Sequence, residues 1–302
     1  MRKRILSTLL ALCLALSLLP ASALATGGEE TESPSDNSQT NATIHVGGVA
    51  LSSTNGAEVY ATTNDSGIVT TQDASADNYN IMWDGETLTL NGATITQGAN
   101  SGAAICRYGA LNIVLMGDNK VEGPGAEDSM GIRVADGNLT IGGEGSLKVS
   151  GGSSIFGPNP TTLSIGIYVD GEYNITINDC TIETEGSAVT SGSSYGIFSE
   201  FGSVIVNDAT VTATGSTGTS SFGICAGSGS VSVSRNSTVK AYGGGYVKIY
   251  PKGYSDMRAE HSYGICAPDG VSVTGGSVEA YGGAASVNSY GIYVRNETGN
   301  VS

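Results

Sequence analysis

An isoleucine that most often follows a glycine recurs along the chain and constrains the fold more than any other feature of the sequence. Eight isoleucines align as one position of a repeat, at spacings of 24 to 41 residues, and six of them have glycine directly before them. The positions are Ile81, Ile105, Ile132, Ile167, Ile197, Ile224, Ile265 and Ile292. Behind each come two further short runs of alternating apolar and polar residues, separated by Gly, Asn, Asp and Ser. Each repeat therefore predicts three short strands joined by turns.

Strands this short cannot bury an apolar face alone, so successive repeats must stack on one another. Three strands per repeat, stacked in register, predict an all-β fold: a right-handed parallel β-helix of about seven to eight coils. A sandwich or propeller fits less well, because a four-stranded blade needs about 40 or more residues and most repeats are shorter. No stretch after residue 26 has a helical period.

The remaining segments predict the organisation of the chain. Residues 1–25 have a positive start, an apolar run and a small-residue cleavage site, as a secretory signal peptide does. Residues 26–42 are polar and acidic, which is typical of a disordered linker. Residues 43–79 contain strand patterns before the first repeat and are expected to form an N-terminal β cap over the open end of the solenoid. Residues 80–302 form the β-helix, which stops within its eighth coil and indicates a C-terminal truncation.

The charge of the chain excludes one class of partner. Removal of the signal leaves 10 basic and 28 acidic residues, a net charge of −18. Such a chain repels phosphate backbones, so nucleic acid is not expected as a partner. The only long apolar run lies in the signal and is too short for a stable span, so we expect no membrane insertion.

The repeat motifs carry a family resemblance. IHVGGVALSS, ETLTLNGATIT, ALNIVLMGDNKVEG, GIRVADGNLTIGGEGSLKVSGG and the repeated SYGI resemble secreted β-helix surface proteins of Gram-positive anaerobes, of the carbohydrate-binding-domain-containing or S-layer-associated type. The resemblance covers about residues 43–302. It implies an extracellular acidic or cellulosic polysaccharide as ligand, sometimes with calcium, and no binding residue of the family can be matched to a position here.

Aromatic residues in outward slots are the first candidate ligand-binding residues. The slot after the aligned isoleucine holds Tyr168 and Phe198 on neighbouring coils. Tyr242 and Tyr281 also lie on neighbouring coils, each near the end of the third strand of its repeat. Aromatic faces suit stacking on sugar rings, although β-propensity alone also favours such residues. A second aromatic column, two residues before the isoleucine, shares its parity and is therefore expected to be an interior or corner stack.

The long insertion 245–262 is the preferred binding site, because long loops on rigid scaffolds often bind ligands. Its aromatic and basic residues would suit an acidic glycan, and the alternative is a tolerated loop without a partner. The candidate residues are Tyr246, Lys248, Tyr250, Lys252, Tyr254 and Arg258.

Asp179 and Asp208 are the candidate metal ligands. They occupy the same turn in adjacent coils, where stacked oxygens could share a Ca²⁺ ion. An asparagine ladder at the same corner, formed by Asn178, Asn207 and Asn91, is the structural alternative. No other cofactor is expected.

Four cysteines remain after signal removal, and three share the slot after the isoleucine. Cys225 and Cys266 lie on adjacent coils, but their side-by-side geometry is poor for a disulfide, so we expect stacked free thiols. The absence of a CxxC motif argues against a zinc site.

These features predict a secreted or cell-surface bacterial protein, non-enzymatic, that binds polysaccharide or acts as an adhesin-like stalk. No convergent acid, base or metal set is present in the sequence. One alternative is a β-helix polysaccharide lyase or glycoside hydrolase. Another is a passive stalk for a module beyond residue 302.

Overall fold

The alternation of apolar and polar residues produces strands with one buried face. In Ser230–Ser234, for example, Val231 and Val233 are buried while the serines between and beside them are half-buried. A computed structural model describes residues 41–98, 102–153, 162–189, 192–245, 259–295 and 300–301. Every regular element within these residues is a strand.

The strands before the repeats proper are β1 (Asn41–Val46), β2 (Val49–Thr54), β3 (Val59–Thr63), β4 (Val69–Thr70) and β5 (Ile81–Trp83). The following strands are β6 (Thr87–Asn91), β7 (Thr94–Ile95), β8 (Ala103–Tyr108), β9 (Leu111–Met116), β10 (Asp118–Glu122), β11 (Asp128–Ala135), β12 (Leu139–Gly142), β13 (Ser146–Ser150), β14 (Leu163–Asp170), β15 (Ile175–Asn178) and β16 (Thr181–Glu185). The last ones are β17 (Ser193–Ser199), β18 (Val204–Asn207), β19 (Thr210–Thr214), β20 (Ser220–Ala226), β21 (Ser230–Ser234), β22 (Thr238–Tyr242), β23 (Ala259–Cys266), β24 (Gly270–Thr274), β25 (Ser277–Tyr281), β26 (Ala285–Tyr293) and β27 (Asn300–Val301).

These strands form three sheets, and each coil from β8 to β25 gives one strand to each sheet. The first sheet runs β2-β1-β8-β11-β14-β17-β20-β23-β26, the second runs from β27 through β24, β21, β18, β15, β12, β9, β6, β5 and β3 to β4, and the third runs from β25 through β22, β19, β16, β13 and β10 to β7. From β6 onward all pairing between coils is parallel. The aligned isoleucines pair directly, as Ile132 does with Ile167 and Ile197 with Ile224. The predicted parallel β-helix is therefore confirmed.

The core lies between the three sheets and is mostly aliphatic, with the fully buried Trp83 of β5 as an aromatic exception. Each sheet contributes a column of side chains without solvent contact, such as Ile167 from the first, Ile177 from the second and Val211 from the third. Stacking identical positions of successive coils buries one continuous apolar column.

The N-terminal strands pair antiparallel and extend the first and second sheets beyond the parallel coils. The hairpin β1–β2 pairs with β8 at the edge of the first sheet, and β3, β4 and β5 continue the second sheet beyond β6. Ile81 is the exception among the aligned isoleucines, because it lies on β5 and pairs with Leu90 of β6. Its assignment to a first coil is wrong: the place of that strand in the first sheet is taken by β1.

The strand β1 begins at Asn41, two residues inside the segment predicted as linker. The predicted signal peptide, and the predicted linker up to residue 40, lie outside the described residues. Residues Gln39–Ser302 form one compact unit. Within the described residues, no helix is long and apolar enough to cross a membrane.

Candidate functional site

A cluster of aromatic side chains covers the outer face of the first sheet. We call it the aromatic ladder, and it consists of Tyr168, Tyr195, Phe198, Phe222, Tyr263, Tyr290 and Tyr293. Neighbouring rings have centroids 4.4 to 5.9 Å apart. The ladder combines two sequence columns, one two residues before and one directly after the aligned isoleucine.

The structure corrects the position predicted for the first of these columns. Tyr195 lies with Tyr168 and Phe198 against an outer apolar cluster that includes Met130 and Ile165, separate from the main core. The core isoleucine of the same strand, Ile197, points the other way. The column is thus outside the solenoid and not in its interior.

The glycine between the two columns explains the change of face. In β17 both Tyr195 and Ile197 have a partner on the neighbouring strand, whereas Gly196 between them has none. Tyr195 and Ile197 lie on opposite faces of the sheet, although residues two apart in a regular strand share a face. A Cβ on Gly196 would lie 2.7 Å from the Thr214 nitrogen and from the Gly223 oxygen. The backbone of the first sheet therefore lies too close to the third sheet at this corner for any side chain.

The rings lie face to face along the axis of the solenoid. Tyr195 and Phe222 are 4.7 Å apart with an interplanar angle of 4°, and Phe222 and Tyr263 are 5.2 Å apart at 23°. Most ring faces are therefore occupied by neighbouring rings, and it is the edges that line the surface. Tyr293 departs from the stack, since it is tilted by 45° against Tyr263.

Polar groups at one margin of the aromatic ladder are paired between coils. Arg133 donates to the carboxylate of Asp170 at 3.1 Å, and the Tyr168 hydroxyl donates to Glu200 Oε2 at 3.2 Å. Burial raises the pKa of the Tyr168 phenol, and the negative charges of Asp170 and Glu200 raise it further. Burial also raises the pKa of Tyr195 to about 12. Both phenols are therefore neutral hydrogen-bonding groups at physiological pH.

A ladder of buried serines supports the aromatic ladder from inside and was missed by the sequence analysis. The Ser262 hydroxyl donates to the Gly244 carbonyl in the turn before its strand and accepts from the Gly283 amide one coil later, both at 2.8 Å. The same slot, three residues before the aligned isoleucine, holds the buried Ser129, Ser164, Ser194 and Ser221 and, in the last coil, the exposed Ser289. The sequence does contain a signal for this ladder, because each of these serines stands three residues before the aligned isoleucine.

The second predicted aromatic pair lies on the third sheet. Tyr242 and Tyr281 are paired in register on β22 and β25, with centroids 5.6 Å apart and an interplanar angle of 6°. Tyr281 is 54% exposed. This pair lies on a different sheet from the aromatic ladder and does not join it.

The turn with the candidate metal ligands already contains a cation from the chain itself. Asp179 and Asp208 both have positive φ in equivalent turns, as does Arg235 one coil further. The Arg235 guanidinium is 2.9 Å from the Asp208 carboxylate, and this hydrogen bond holds the pKa of Asp208 below its ordinary value. Beside them an amide ladder runs from Asn178 through Asn207, whose amide donates at 2.9 Å. It continues to Ser234. Asn91 is not a member, contrary to the prediction: two coils lie between them, and the register that aligns Ile177 with Leu88 puts Asn91 two positions beyond the column of Asn178.

Within the described residues, no three His, Cys, Asp or Glu side chains are grouped as a metal site. The calcium site stays a prediction. The preferred loop site, with Tyr246, Lys248, Tyr250, Lys252, Tyr254 and Arg258, lies outside the described residues.

The four cysteines that the structure describes are free thiols, as the sequence predicts. Cys106, Cys225 and Cys266 lie in the outward slot of the first sheet beside the aromatic ladder. Cys106 has His45 of β1 and Arg133 of β11 as its paired neighbours.

No protein family model, no curated protein and no solved structure matches the chain.

Proposed function

We propose that this is a secreted or cell-surface bacterial protein that binds extracellular polysaccharide, without enzymatic activity, along the outer face of its first sheet. The observation that supports it best is the aromatic ladder, which extends over the coils from β14 to β26 on one face. A chain-like ligand lying along the axis would meet ring edges at every coil. Ring edges and ends pack against the C–H surfaces of sugars, and the phenol hydroxyls offer hydrogen bonds.

Polar side chains at the margin of the ladder supply the directional contacts that a sugar requires. Glu200 and Asp170 are each only partly engaged by a neighbour, because a carboxylate can accept about four hydrogen bonds. They lie at the same end of adjacent strands, next to the ring of Tyr168. Sugar hydroxyls at this margin would donate to their remaining lone pairs.

The non-enzymatic part of the proposal is supported by how these carboxylates are held. Asp170 is paired with Arg133, and Glu200 accepts from both Tyr168 and the Gly171 amide. Their hydrogen bonds bridge neighbouring coils, as the serine and asparagine ladders do. Such contacts serve coil stacking without any catalytic step.

Affinity electrophoresis in gels containing neutral β-glucans, cellulose derivatives or pectins tests the binding proposal. We expect the chain to be retarded by at least one of them, and Phe198→Ala to weaken retention by about 3- to 10-fold, because one ring contact is lost. Phe201→Ala is the matched control, since Phe201 is 51% exposed but outside the aromatic ladder. Equal effects of the two variants, or no retardation by any glycan, would count against the proposal. Release of reducing or unsaturated ends from the same glycans would support the lyase or hydrolase alternative.

A stalk without ligand is the second candidate, favoured by the stacking of the rings on one another. In a purely structural ladder the ring faces stabilise neighbouring coils, and no free face is needed. The two functions differ in one readout: for a stalk, Phe198→Ala lowers thermal stability while no glycan retards the wild-type chain.

A further inference from the structure

Cys225 and Cys266 form a pair of neighbouring thiols on the outer face of the first sheet. The two residues are direct register partners on the parallel strands β20 and β23. Paired residues on neighbouring strands lie about 4.8 Å apart. The interaction between the two thiols raises the pKa of Cys225, which burial raises further, and lowers the pKa of Cys266.

The surroundings of this pair are aromatic. Phe198 is the register neighbour of Cys225 on one side, and Tyr293 is that of Cys266 on the other. These two neighbours carry further rings: Tyr195 stacks on Phe198 at 4.4 Å, and Tyr263 lies 5.3 Å from Tyr293. Cys225 is buried, whereas Cys266 is partly exposed, so a small ion can reach the pair from the Cys266 side.

The geometry suits a bridging metal ion better than a disulfide. Two side chains that leave parallel strands in the same direction keep their Cβ atoms near the strand spacing of about 4.8 Å, whereas a disulfide needs about 3.5–4.5 Å. Metal–thiolate bonds of about 2.3 Å place two sulfurs about 3.8 Å apart at a tetrahedral angle and about 4.6 Å apart when linear. This range is compatible with two stacked thiols without movement of the backbone.

We propose that Cys225 and Cys266 form a binding site for one soft, thiophilic d¹⁰ metal ion of the Cu(I) or Hg(II) type, held by two thiolates. Both thiol protons are released to solvent when the two metal–sulfur bonds form, and no electron is transferred. Soft sulfur ligands select such ions, which accept two donors. Zinc prefers four ligands, and within the described residues no third His, Cys, Asp or Glu is grouped with the pair.

Titration of the full, reduced chain with Cu(I) under anaerobic conditions, against a chromophoric Cu(I) chelator, tests the site. We expect one tightly bound Cu(I) per chain, and at least 100-fold weaker binding in Cys225→Ser and in Cys266→Ser. Cys106→Ser and Cys180→Ser are matched controls that retain the site. A parallel titration with Hg(II) is expected to give the same stoichiometry, and Zn(II) no stoichiometric binding.

X-ray absorption of the copper-loaded wild-type chain provides a readout that does not depend on the folding of any variant. We expect two sulfur neighbours per copper ion. Nitrogen or oxygen ligands in place of sulfur, Cu(I) binding that survives both serine variants, or equal loss in the Cys106 control would overturn the proposal. A Cys225–Cys266 disulfide that persists after reduction of the folded chain would overturn it as well.

Discussion

The ring of Tyr195 stacks on the ring of Phe198, three residues further along the same strand, with 4.4 Å between their centroids. Strict alternation would place residues three apart on opposite faces of a sheet. Gly196 makes the contact feasible, because the strand changes its side-chain parity there, where it lies against the backbone of the third sheet. The position of the whole aromatic ladder depends on this change.

Replacement of Gly196 by alanine therefore tests the corner. The added Cβ would meet only backbone atoms at 2.7 to 3.1 Å, none of which can rotate away. We expect a loss of stability of about 1–3 kcal/mol or more, measured as a lower urea midpoint. The comparison is Gly245→Ala, whose added Cβ has its nearest neighbour at 3.3 Å. Equal midpoints for the two variants would show that the corner is not tightly packed.

The sequence was sufficient to predict the coil, because the alternation of apolar and polar residues in each repeat indicates which side chains are buried. The isoleucines from Ile105 to Ile265 lie in the predicted buried column, and Ile292 continues their register but is exposed. Ile81 does not, because a cap strand and a coil strand share the same local pattern and differ only in pairing direction. Local periodicity contains no information about which distant strand a segment pairs with.

The site was less predictable because it depends on a backbone irregularity. Alternation extended across Gly196 assigns Tyr195 to the wrong face, and only the close approach of two sheets reveals the shift. Similarly, the sequence around Ser262 is that of an ordinary strand residue. Its role becomes visible only through its hydrogen bonds to Gly244, in the turn before its strand, and to Gly283, one coil later. Both features arise from contacts between segments that are distant in sequence.

The serine ladder is expected to stabilise the coils measurably. Ser221 is fully buried and accepts a hydrogen bond from the Gly244 amide at 2.6 Å. In Ser221→Ala this amide loses its acceptor, so we expect destabilisation by about 1–3 kcal/mol. Ser232→Ala, half-buried on the second sheet, should change stability by less than about 0.5 kcal/mol. Thermal melts of both variants measure the difference, and a neutral Ser221→Ala would remove the stabilising role of the ladder.

The Asp208–Arg235 pair should give a pH-dependent contribution to stability. The hydrogen bond from Arg235 lowers the pKa of Asp208 in the folded chain, so its stabilisation is present above the unfolded value of about 3.9. It is lost as the pH falls through the lower folded value. We therefore expect the small difference in melting temperature between wild type and Asp208→Asn to shrink and disappear as the pH falls below the unfolded value. Because Arg235 is exposed and Asp208 is partly exposed, salt should reduce the difference at neutral pH. A difference that grows on acidification would contradict this pairing.

The same pair determines how the turn responds to calcium. With Arg235 bound to Asp208, we expect millimolar Ca²⁺ to leave the melting temperature of the wild type unchanged. In Arg235→Ala the carboxylates of Asp179 and Asp208 lose their cation, and Ca²⁺ should then raise the melting temperature relative to the same variant with chelator. Stabilisation of the wild type by Ca²⁺ that is abolished in Asp179→Asn would instead support the calcium site predicted from the sequence.

The in-register stacking of coils underlies the aromatic ladder, the serine ladder and the thiol pair alike, and one distance tests it most directly. Thr140 and Ser272 occupy the same slot of the second sheet, and the register that connects them runs through Thr176, Ile205 and Ser232. Four strand spacings separate them, about 19 Å. Pulsed electron spin resonance on a chain labelled at these two positions, with its native cysteines replaced by serine, should give one narrow distance distribution near this value, widened only by the label linkers. A broad distribution, or one centred beyond about twice that distance, would contradict parallel in-register coils.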